Sequence, residues 1–505
     1  MDTARHIIDI FVKLKGKKLK AYKTSRVLAL LAGPLAFVIC CFFVKLDDKN
    51  PQISYMAGIT LWMAIWWFTE AVHLAVTAFV PFLFIPLMGI AEAKVVAQQY
   101  SDSIIFLFLG GFMLAFAIEK YDLHRRIALR ILALVGSNPK SVLFGVMLST
   151  YLISNWISNT ATTIMLFGAV LALILELEKH MPAGHARFAA AMLLGLAYSA
   201  TIGGMATPVG TPPNMFFFKE YLKNYPEAHD LNFLKWSAIG YPISFLFLIG
   251  CYFVLSRYFL KDVQQLNVGK SFFKDTYKEL GKVSYEQRVI LLIFGLCVVL
   301  WFTREDLVFD SFTFRGWKNI FSMPKALDDG SVAIAAALAL FLIPSKQNRG
   351  EALLIWEDAK KIRYDIILLF GSGFALAYGF DQSGLSDWLA LRLVFLKHVH
   401  PILLIGGICI IVTLISEFAS NIASIQLCIP IMISLQKEIG VSPLLLMMPA
   451  TFAASLGFML PVATAANTIV FGANRIAIKD MLKVGFALDF MGIAIITLLT
   501  YLYLG

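Results

Sequence analysis

Charged residues are scarce in this chain of 505 residues. Only 15% of the side chains are Asp, Glu, Lys or Arg, 59% are hydrophobic, and the mean hydropathy is +0.75. An average soluble domain carries about 25% charged residues, so the composition excludes an ordinary soluble protein. Uncharged runs of about 17 to 25 residues can cross a bilayer as helices, and such runs recur here. We therefore predict an all-α, multi-pass membrane protein with ten or more spans.

Cysteine is also rare, and the chain has no Asn-x-Ser/Thr glycosylation acceptor. The six cysteines follow no metal-ligand spacing, which favours buried small hydrophobic residues over a metal centre or a disulfide framework. The missing acceptor mildly favours a bacterial inner (plasma) membrane over an animal cell surface.

The net charge of +10 is carried at the ends of apolar segments and in connections, so the membrane explains it without a nucleic-acid partner. Residues 1–26 are rich in lysine, which predicts a basic cytoplasmic or interfacial segment that contacts anionic lipid. The apolar run that follows Arg26 starts late and lacks a clear cleavage site, so we predict a retained first span.

The chain contains an internal duplication. Residues 105–131 align without gaps to residues 367–393, with 11 identities in 27 and an offset of 262. The same offset carries "SNWISNTAT" at 154–162 onto "SEFASNIAS" at 416–424. Two polar motifs in corresponding positions of an apolar chain indicate one element used twice.

Each half also contains a break in apolar sequence, "GGMATPVGTPPN" at 203–214 and "GFMLPVATAANT" at 457–468. Glycine and proline interrupt helices, and freed backbone groups at membrane depth are tolerated only against protein or a watery cavity. Paired breaks in two repeats indicate a transporter's binding site near the bilayer midplane.

These features predict four parts along the chain. After the basic segment 1–26, the first transmembrane repeat covers 27–260 with its motif near 154–163. A polar connection covers 261–330 and includes at least one span near 287–302. The second repeat covers 331–505, with its motif near 416–424.

The paired Ser-Asn motifs, "GTPPN", "WWFTEA" at 66–71 and "FMLPVAT" at 458–464 together resemble the divalent anion/sodium symporter family, the INDY-type carriers. The resemblance runs from about residue 53 to the C-terminus. It implies an inverted-repeat ion-transporter fold with two re-entrant hairpins, and a homodimer whose scaffold domains hold transport domains that move as elevators. It also implies sodium as the coupling ion.

The resemblance further implies which residues form the site. The first sodium site would use Ser154, Ser158, Asn159 and the backbone of Gly210. The second would use Ser416, Ala419, Asn421 and the backbone of Ala463. Substrate would lie between Asn159, Thr160 and Asn421, with Thr211 and Thr464 close by. Amides, hydroxyls and broken-helix backbone suit both an anion and sodium.

Three positions depart from the family pattern. Ile422 replaces the threonine that usually follows Ser-Asn, so one anion-binding hydroxyl is missing from the second half-site. Ala465 and Ala466 replace a Pro-Pro pair. His73 stands where a proline usually follows "TEA".

Several alternatives remain open at this stage. The polar residues could bond only within their own helices, and the acids beside apolar runs could be functional or could cap helices; these are Glu70, Glu119, Asp381 and Glu417. A membrane enzyme built on Ser372 is disfavoured, because the repeat aligns Ser372 with Gly110 and no catalytic acid pair accompanies it. A channel would require a continuous polar lining.

The prediction is therefore a secondary active transporter for a small divalent anion with sodium, most naturally a C4-dicarboxylate such as succinate, malate or fumarate. Sodium-coupled sulfate transport comes second, and dicarboxylate exchange without net sodium coupling comes third.

Overall fold

The computed structural model describes residues 26–135, 138–178, 184–226, 231–261, 263, 272–308, 313–323 and 327–504. Apart from Arg26, the predicted basic segment 1–26 lies outside these ranges. The described chain is almost entirely helical, as predicted.

The helices begin and end as follows. In the first half they are α1 Arg26–Phe42, α2 Pro51–Thr69, α3 Leu74–Thr77, α4 Phe79–Leu87, α5 Ala93–Gln99, α6 Ser103–Lys120, α7 Leu123–Val135, α8 Pro139–Ser154, α9 Asn159–Glu178, α10 His185–Gly204, α11 Pro212–Asn224 and α12 Phe233–Phe259. They continue with α13 Phe272–Glu279, α14 Tyr285–Phe302, α15 Asp329–Leu342, α16 Trp356–Ala359, α17 Tyr364–Ser383, α18 Leu385–Leu393, α19 Pro401–Phe418, α20 Asn421–Ile439, α21 Pro443–Ala453, α22 Ala465–Phe471 and α23 Ile478–Leu504. Short 3₁₀ helices cover Trp317–Ile320 and Val394–His398, and β1 (Leu307–Val308) pairs antiparallel with β2 (Thr313–Phe314).

Within the described residues, eight helical segments are long and apolar enough to cross a membrane, and four more apolar helices have 10–17 residues. Several apolar runs form shorter helices, so the number of membrane passes, ten or more from the sequence, stays a prediction. Pro443 stands in the first turn of one of these shorter helices, and Pro212 stands in the first turn of α11. Proline at this position begins a helix without losing a helical hydrogen bond.

The helices separate into two compact units. The first contains the described residues from Arg26 to Ser101 together with Leu368–Arg392. Its core includes Phe37, Trp62 and Phe84, whose rings pack within 5.7 Å of one another. Gly33 permits this packing, since a Cβ at that position would lie 2.5 Å from the Trp62 ring.

The second unit contains Asp102–Ile367 and the chain from Leu393 onward. Its central helix is α10, in which every residue from Phe188 to Gly204 is buried. Many of these residues are alanine or glycine, so neighbouring backbones approach closely, as is common between membrane helices. Helix α10 packs against α8, α9, α12 and α22.

The duplication is visible inside this unit. Helices α8 and α9 correspond to α19 and α20 at the offset of 262, and α12 and α23 correspond to each other with 27 residues each. In each half the polar motif lies at the junction of two helices, and the Gly/Pro-rich break precedes a short helix, α11 or α22.

Candidate functional site

The first polar motif forms the turn between α8 and α9. Helix α8 ends at Ser154 and α9 begins at Asn159. The fully buried Ser154 hydroxyl donates to the Ala200 carbonyl of α10 at 2.6 Å, and its oxygen lies 3.1 Å from Asn159 Oδ1. The serine thus fixes the turn to the central helix and holds the amide oxygen of Asn159 beside its own.

The first break lies against this turn. Asn159 Nδ2 is 3.5 Å from the Thr211 hydroxyl. Gly204 packs against both residues, and a Cβ at this position would lie 2.3 Å from Asn159 Oδ1 and 3.0 Å from Thr211 Cβ. Gly210 is equally confined, since its Cβ would lie 2.6 Å from the Gly204 carbonyl oxygen. The structure therefore brings Ser154, Asn159, Gly210 and Thr211 together.

The second motif repeats this geometry. Helix α19 ends at Phe418 and α20 begins at Asn421. The Ser416 hydroxyl donates to the Ala454 carbonyl at 2.6 Å, and its oxygen lies 3.1 Å from Asn421 Oδ1. The distances match those of the first motif, so the duplicated sequence has kept the same local structure.

The second break approaches the second motif through Gly457. A Cβ on Gly457 would lie 3.2 Å from Ala463 Cβ, 3.5 Å from the Ser416 carbonyl oxygen and 3.6 Å from Thr464 Cγ2. Thr464 caps α22 by accepting from the Asn467 backbone N–H at 3.0 Å. Ser416, Ala463 and Thr464 are thus neighbours.

The remaining predicted residues lie at the same two turns. Ser158 accepts weakly from the Ala161 backbone N–H at 3.4 Å, and its counterpart Ser420 accepts from the Ala423 backbone N–H at 3.3 Å. Ala419 is buried between Ser416 and Asn421 in the second turn. Thr160 and Ile422 are both partly exposed, so a hydroxyl and a hydrocarbon side chain stand at equivalent positions.

Two asparagines that the sequence analysis did not assign hold the breaks in shape. Asn214 Nδ2 donates to the carbonyls of Gly204 and Thr207 at 2.9 and 2.8 Å. Asn467 Nδ2 donates to the carbonyls of Gly457 and Leu460 at 2.8 and 3.1 Å. Their sequence signal was the final asparagine shared by "GTPPN" and "ATAAN".

The two half-sites belong to the same unit. Helix α22, which follows the second break, packs against α9, which begins at the first motif, and against α10. A ligand held by both motifs would therefore be enclosed within one compact body.

The oxygen arrangement at each motif favours a cation. A serine hydroxyl has one proton, and the shorter contact of Ser154, to the Ala200 carbonyl, uses it. The oxygens of Ser154 and Asn159 lie side by side, and so do those of Ser416 and Asn421, so each motif presents two adjacent neutral oxygens to a cation. Among the residues that the structure describes, no group of three or more His, Cys, Asp or Glu could hold a metal, so such a cation would be bound by neutral oxygens.

The acids noted in the sequence differ in environment. Glu70, Glu119 and Asp381 are exposed. Glu417 is fully buried and accepts from the backbone N–H groups of Met459 and Leu460 at 2.9 and 3.0 Å. Glu417 therefore caps the second break.

Comparison with known proteins identifies the family. Residues 24–504 match the family described as "Sodium:sulfate symporter transmembrane region". The chain belongs to the divalent anion/sodium symporter family. It is 37% identical over 495 residues to the sodium-dependent dicarboxylate transporter SdcS of Staphylococcus saprophyticus, which covers 96% of this chain and 92% of that protein. The SdcS of Staphylococcus aureus strain MRSA252 is also 37% identical over 495 residues, covering 96% of this chain and 93% of that protein.

Solved structures support the same architecture. The Alcanivorax borkumensis YdaH transporter aligns with a TM-score of 0.54 at 13% identity, covering 81% of this chain and 87% of that one. Neisseria gonorrhoeae MtrF aligns with a TM-score of 0.53 at 14% identity, covering 81% and 83%. Identities this low indicate a shared fold alone.

Family membership confirms several predictions made from the sequence. The protein is a multi-pass membrane transporter with sodium as its coupling ion, and it is not an enzyme. The hydroxyl of Ser372, the enzyme alternative, donates to the Leu369 carbonyl of its own helix at 2.6 Å, which is a structural role.

Proposed function

We propose that this protein imports a C4-dicarboxylate, such as succinate, malate or fumarate, together with sodium. One observation carries the proposal: two matched half-sites each pair a serine oxygen with an asparagine oxygen at 3.1 Å, next to a broken helix. The similarity to the SdcS relatives, which are named sodium-dependent dicarboxylate transporters, supports a dicarboxylate as the anion.

In this proposal, each half-site binds one sodium ion. The first ion is bound by Ser154, Ser158, Asn159 and the Gly210 carbonyl, and the second by Ser416, Ala419, Asn421 and the Ala463 carbonyl. Sodium prefers hard oxygen ligands, which hydroxyls, amide oxygens and the carbonyls of broken helices supply.

The substrate would bind between the half-sites. Asn159 and Asn421 would donate hydrogen bonds from their amide nitrogens to its carboxylates. The hydroxyls of Thr160, Thr211 and Thr464 would donate further hydrogen bonds. The N-termini of α9, α11 and α20 lie at these residues, and helix N-termini attract anions. The dianion would thus be bound without a fixed cationic side chain, and sodium would supply the compensating charge.

Sulfate is the second candidate. The family description names it, and Ile422 offers hydrocarbon where Thr160 offers a hydroxyl, which would suit an anion too short to contact both motifs. Exchange of dicarboxylates without net sodium coupling is the third candidate.

The remaining features of the carrier belong to this proposal as well. The transport domain would move as an elevator against a scaffold that holds a homodimer in the lipid of a bacterial plasma membrane. The division into repeats at 27–260 and 331–505, joined by the connection at 261–330, stays a prediction.

Uptake into proteoliposomes tests the function. Labelled succinate and labelled sulfate are offered separately, with an inward gradient of sodium or of potassium. The proposal expects saturable succinate uptake that requires sodium. Sodium-dependent uptake of sulfate alone would establish the second candidate, and succinate counterflow that ignores sodium would establish the third.

A further inference from the structure

The two halves differ in charge at two buried positions next to the breaks, one in each polar motif and one in the helices α12 and α23. The offset of 262 aligns Asn155 of the first motif with Glu417 of the second. Helices α12 and α23 have equal length, which aligns Ser244 with Asp489. The backbone contacts of the two helices support this alignment, which also pairs Gly240 with Gly485. A Cβ on Gly240 would lie 2.7 Å from the Ala206 carbonyl oxygen, and a Cβ on Gly485 would lie 2.3 Å from the Phe458 carbonyl oxygen. Two neutral residues in the first half are therefore two acids in the second.

The neutral pair has ordinary partners. In the amide orientation that gives hydrogen bonds to both its nitrogen and its oxygen, Asn155 donates to the carbonyls of Tyr151 and Gly203 at 2.8 and 3.0 Å. Ser244 shares a hydrogen bond of 2.9 Å with the Tyr151 hydroxyl. The first half therefore requires no ligand at this place.

The acidic pair is only partly satisfied, because Glu417 accepts from Met459 and Leu460 whereas Asp489 has no comparable partners. Asp489 is only 4% exposed, and its carboxyl lies next to that of Glu417 and to the Phe458 backbone. Neither of its oxygens has a hydrogen-bond partner of good geometry in the part of the chain that the structure describes. The nearby Tyr198 hydroxyl uses its proton on the Phe458 carbonyl at 2.8 Å. None of the ion pairs found among the described residues includes Glu417 or Asp489.

A third oxygen comes from α19. Thr413 lies one turn before Glu417 and corresponds to Tyr151, whose hydroxyl bonds Ser244 in the first half. Because Ser244 corresponds to Asp489 and α19 packs against α23, the repeat places Thr413 at the position from which Tyr151 reaches Ser244 in the first half. Thr413 is 3% exposed and its hydroxyl has no partner within the described ranges.

We propose that Glu417, Asp489 and Thr413 form a further sodium site behind the second break, separate from the two sodium sites of the half-sites. Two buried carboxylates that face each other cannot both stay ionised without a cation between them. Two carboxylates and a hydroxyl supply the hard oxygens that sodium prefers.

This site would act on the second half-site through the backbone. Glu417 accepts from Met459 and Leu460, and the same segment continues to Ala463 and Thr464. A cation that fixes Glu417 would therefore order the second break before substrate binds. The inference rests on sodium coupling, which family membership supports, and not on the identity of the anion.

Equilibrium binding of ²²Na⁺ to purified protein tests the site. Asp489→Asn keeps the shape of the side chain and removes its charge, so it is expected to bind one sodium ion fewer per protomer than wild type. The matched control is Ser244→Ala, at the equivalent position of the first half, which should leave the number unchanged. An unchanged number in Asp489→Asn would overturn the proposal.

A milder variant guards against loss of folding. Thr413→Val conserves shape and should weaken sodium binding severalfold while the protein stays monodisperse. Unaltered sodium affinity in this variant would also count against the site. A pH-indicator assay covers the alternative ligand: if Asp489→Asn abolishes uptake of one proton and binds sodium like wild type, the pair is a proton site and the proposal is wrong. If wild type binds no sodium at all, sodium coupling itself fails.

Discussion

Asn159 and Asn421 each present two chemical groups at the centre of a half-site. The amide oxygen of each faces a serine oxygen at 3.1 Å. The amide nitrogen of Asn159 points the other way, toward Thr211. One side chain can therefore contact the ion with its oxygen and the anion with its nitrogen, which is a direct physical route to coupling.

We expect Asn159→Ala and Asn421→Ala each to abolish sodium-driven uptake while the protein still inserts into the membrane and elutes as a folded species. If the residue contacts both ligands, as proposed, binding of substrate and of sodium should fall together. Uptake assays with size-exclusion chromatography check this. Misfolded protein would instead favour a helix-packing role for the asparagine.

Ile422 breaks the symmetry of the two half-sites. Its counterpart Thr160 can donate a hydrogen bond, and a hydrogen bond to a charged group contributes about 1.5 to 3 kcal/mol, equivalent to roughly tenfold to hundredfold in affinity. Ile422→Thr should therefore tighten succinate binding, and Thr160→Ile should weaken it more than it weakens sodium binding. Calorimetric titration with both ligands measures this. Impaired succinate binding in Ile422→Thr would mean that the isoleucine shapes a smaller pocket.

Asn214 and Asn467 each pair two carbonyls of a break. Replacing either by alanine leaves two buried acceptors unpaired, at a cost of about 1 to 3 kcal/mol for each group. We expect a lower unfolding temperature and weaker sodium binding. Asn224→Ala is the control on α11, because its amide bonds the Glu220 carbonyl within its own helix. Equal effects at Asn214 and Asn224 would contradict the assignment.

At the scale of elements, the breaks depend on close approach of backbone to side chain. A Cβ on Gly204 would lie 2.3 Å from Asn159 Oδ1, whereas a Cβ on Gly168, in α9, would meet nothing within 4 Å. Glycine is thus required at the end of α10 and dispensable in the middle of α9.

Gly204→Ala should therefore displace the Asn159 side chain. Overpacking of this kind costs about 1 to 3 kcal/mol, so sodium affinity should fall about fivefold to hundredfold. Gly168→Ala should retain full uptake and gain about 0.5 to 1 kcal/mol of helix stability. Sodium titrations of both variants decide the matter, and normal sodium affinity in Gly204→Ala would argue against the first sodium site.

The equivalence of the two halves could be predicted from sequence for the polar motifs but not for the elements that follow them. The polar motifs could be aligned because they keep one offset of 262, and the local contacts around Ser154 and Ser416 agree with that alignment. Thr211 and Thr464 differ by 253 and Ser244 and Asp489 by 245, since the connections between elements differ in length. The equivalence of Asp489 with Ser244 was therefore hidden until the helices were seen, and the partner of Glu417 could not be inferred.

At the scale of the whole molecule, apolar composition and long uncharged runs were sufficient to predict an all-helical membrane protein. The length of each helix could not be predicted from them, because whether an apolar run forms one helix or two depends on packing around its glycines and prolines. The family followed from the paired motifs, since their residue types and spacing are specific to the chemistry of the site.

The central claim is that sodium and anion are bound together, and equilibrium binding of labelled succinate to the purified wild-type protein tests it most directly. Titrations are run in sodium and in potassium at equal ionic strength. Linkage requires that each ligand raise the affinity for the other by the same factor. We expect tight succinate binding in sodium, weak or no binding in potassium, and a matching rise in sodium affinity with succinate. Equal succinate affinity in the two salts would contradict the claim.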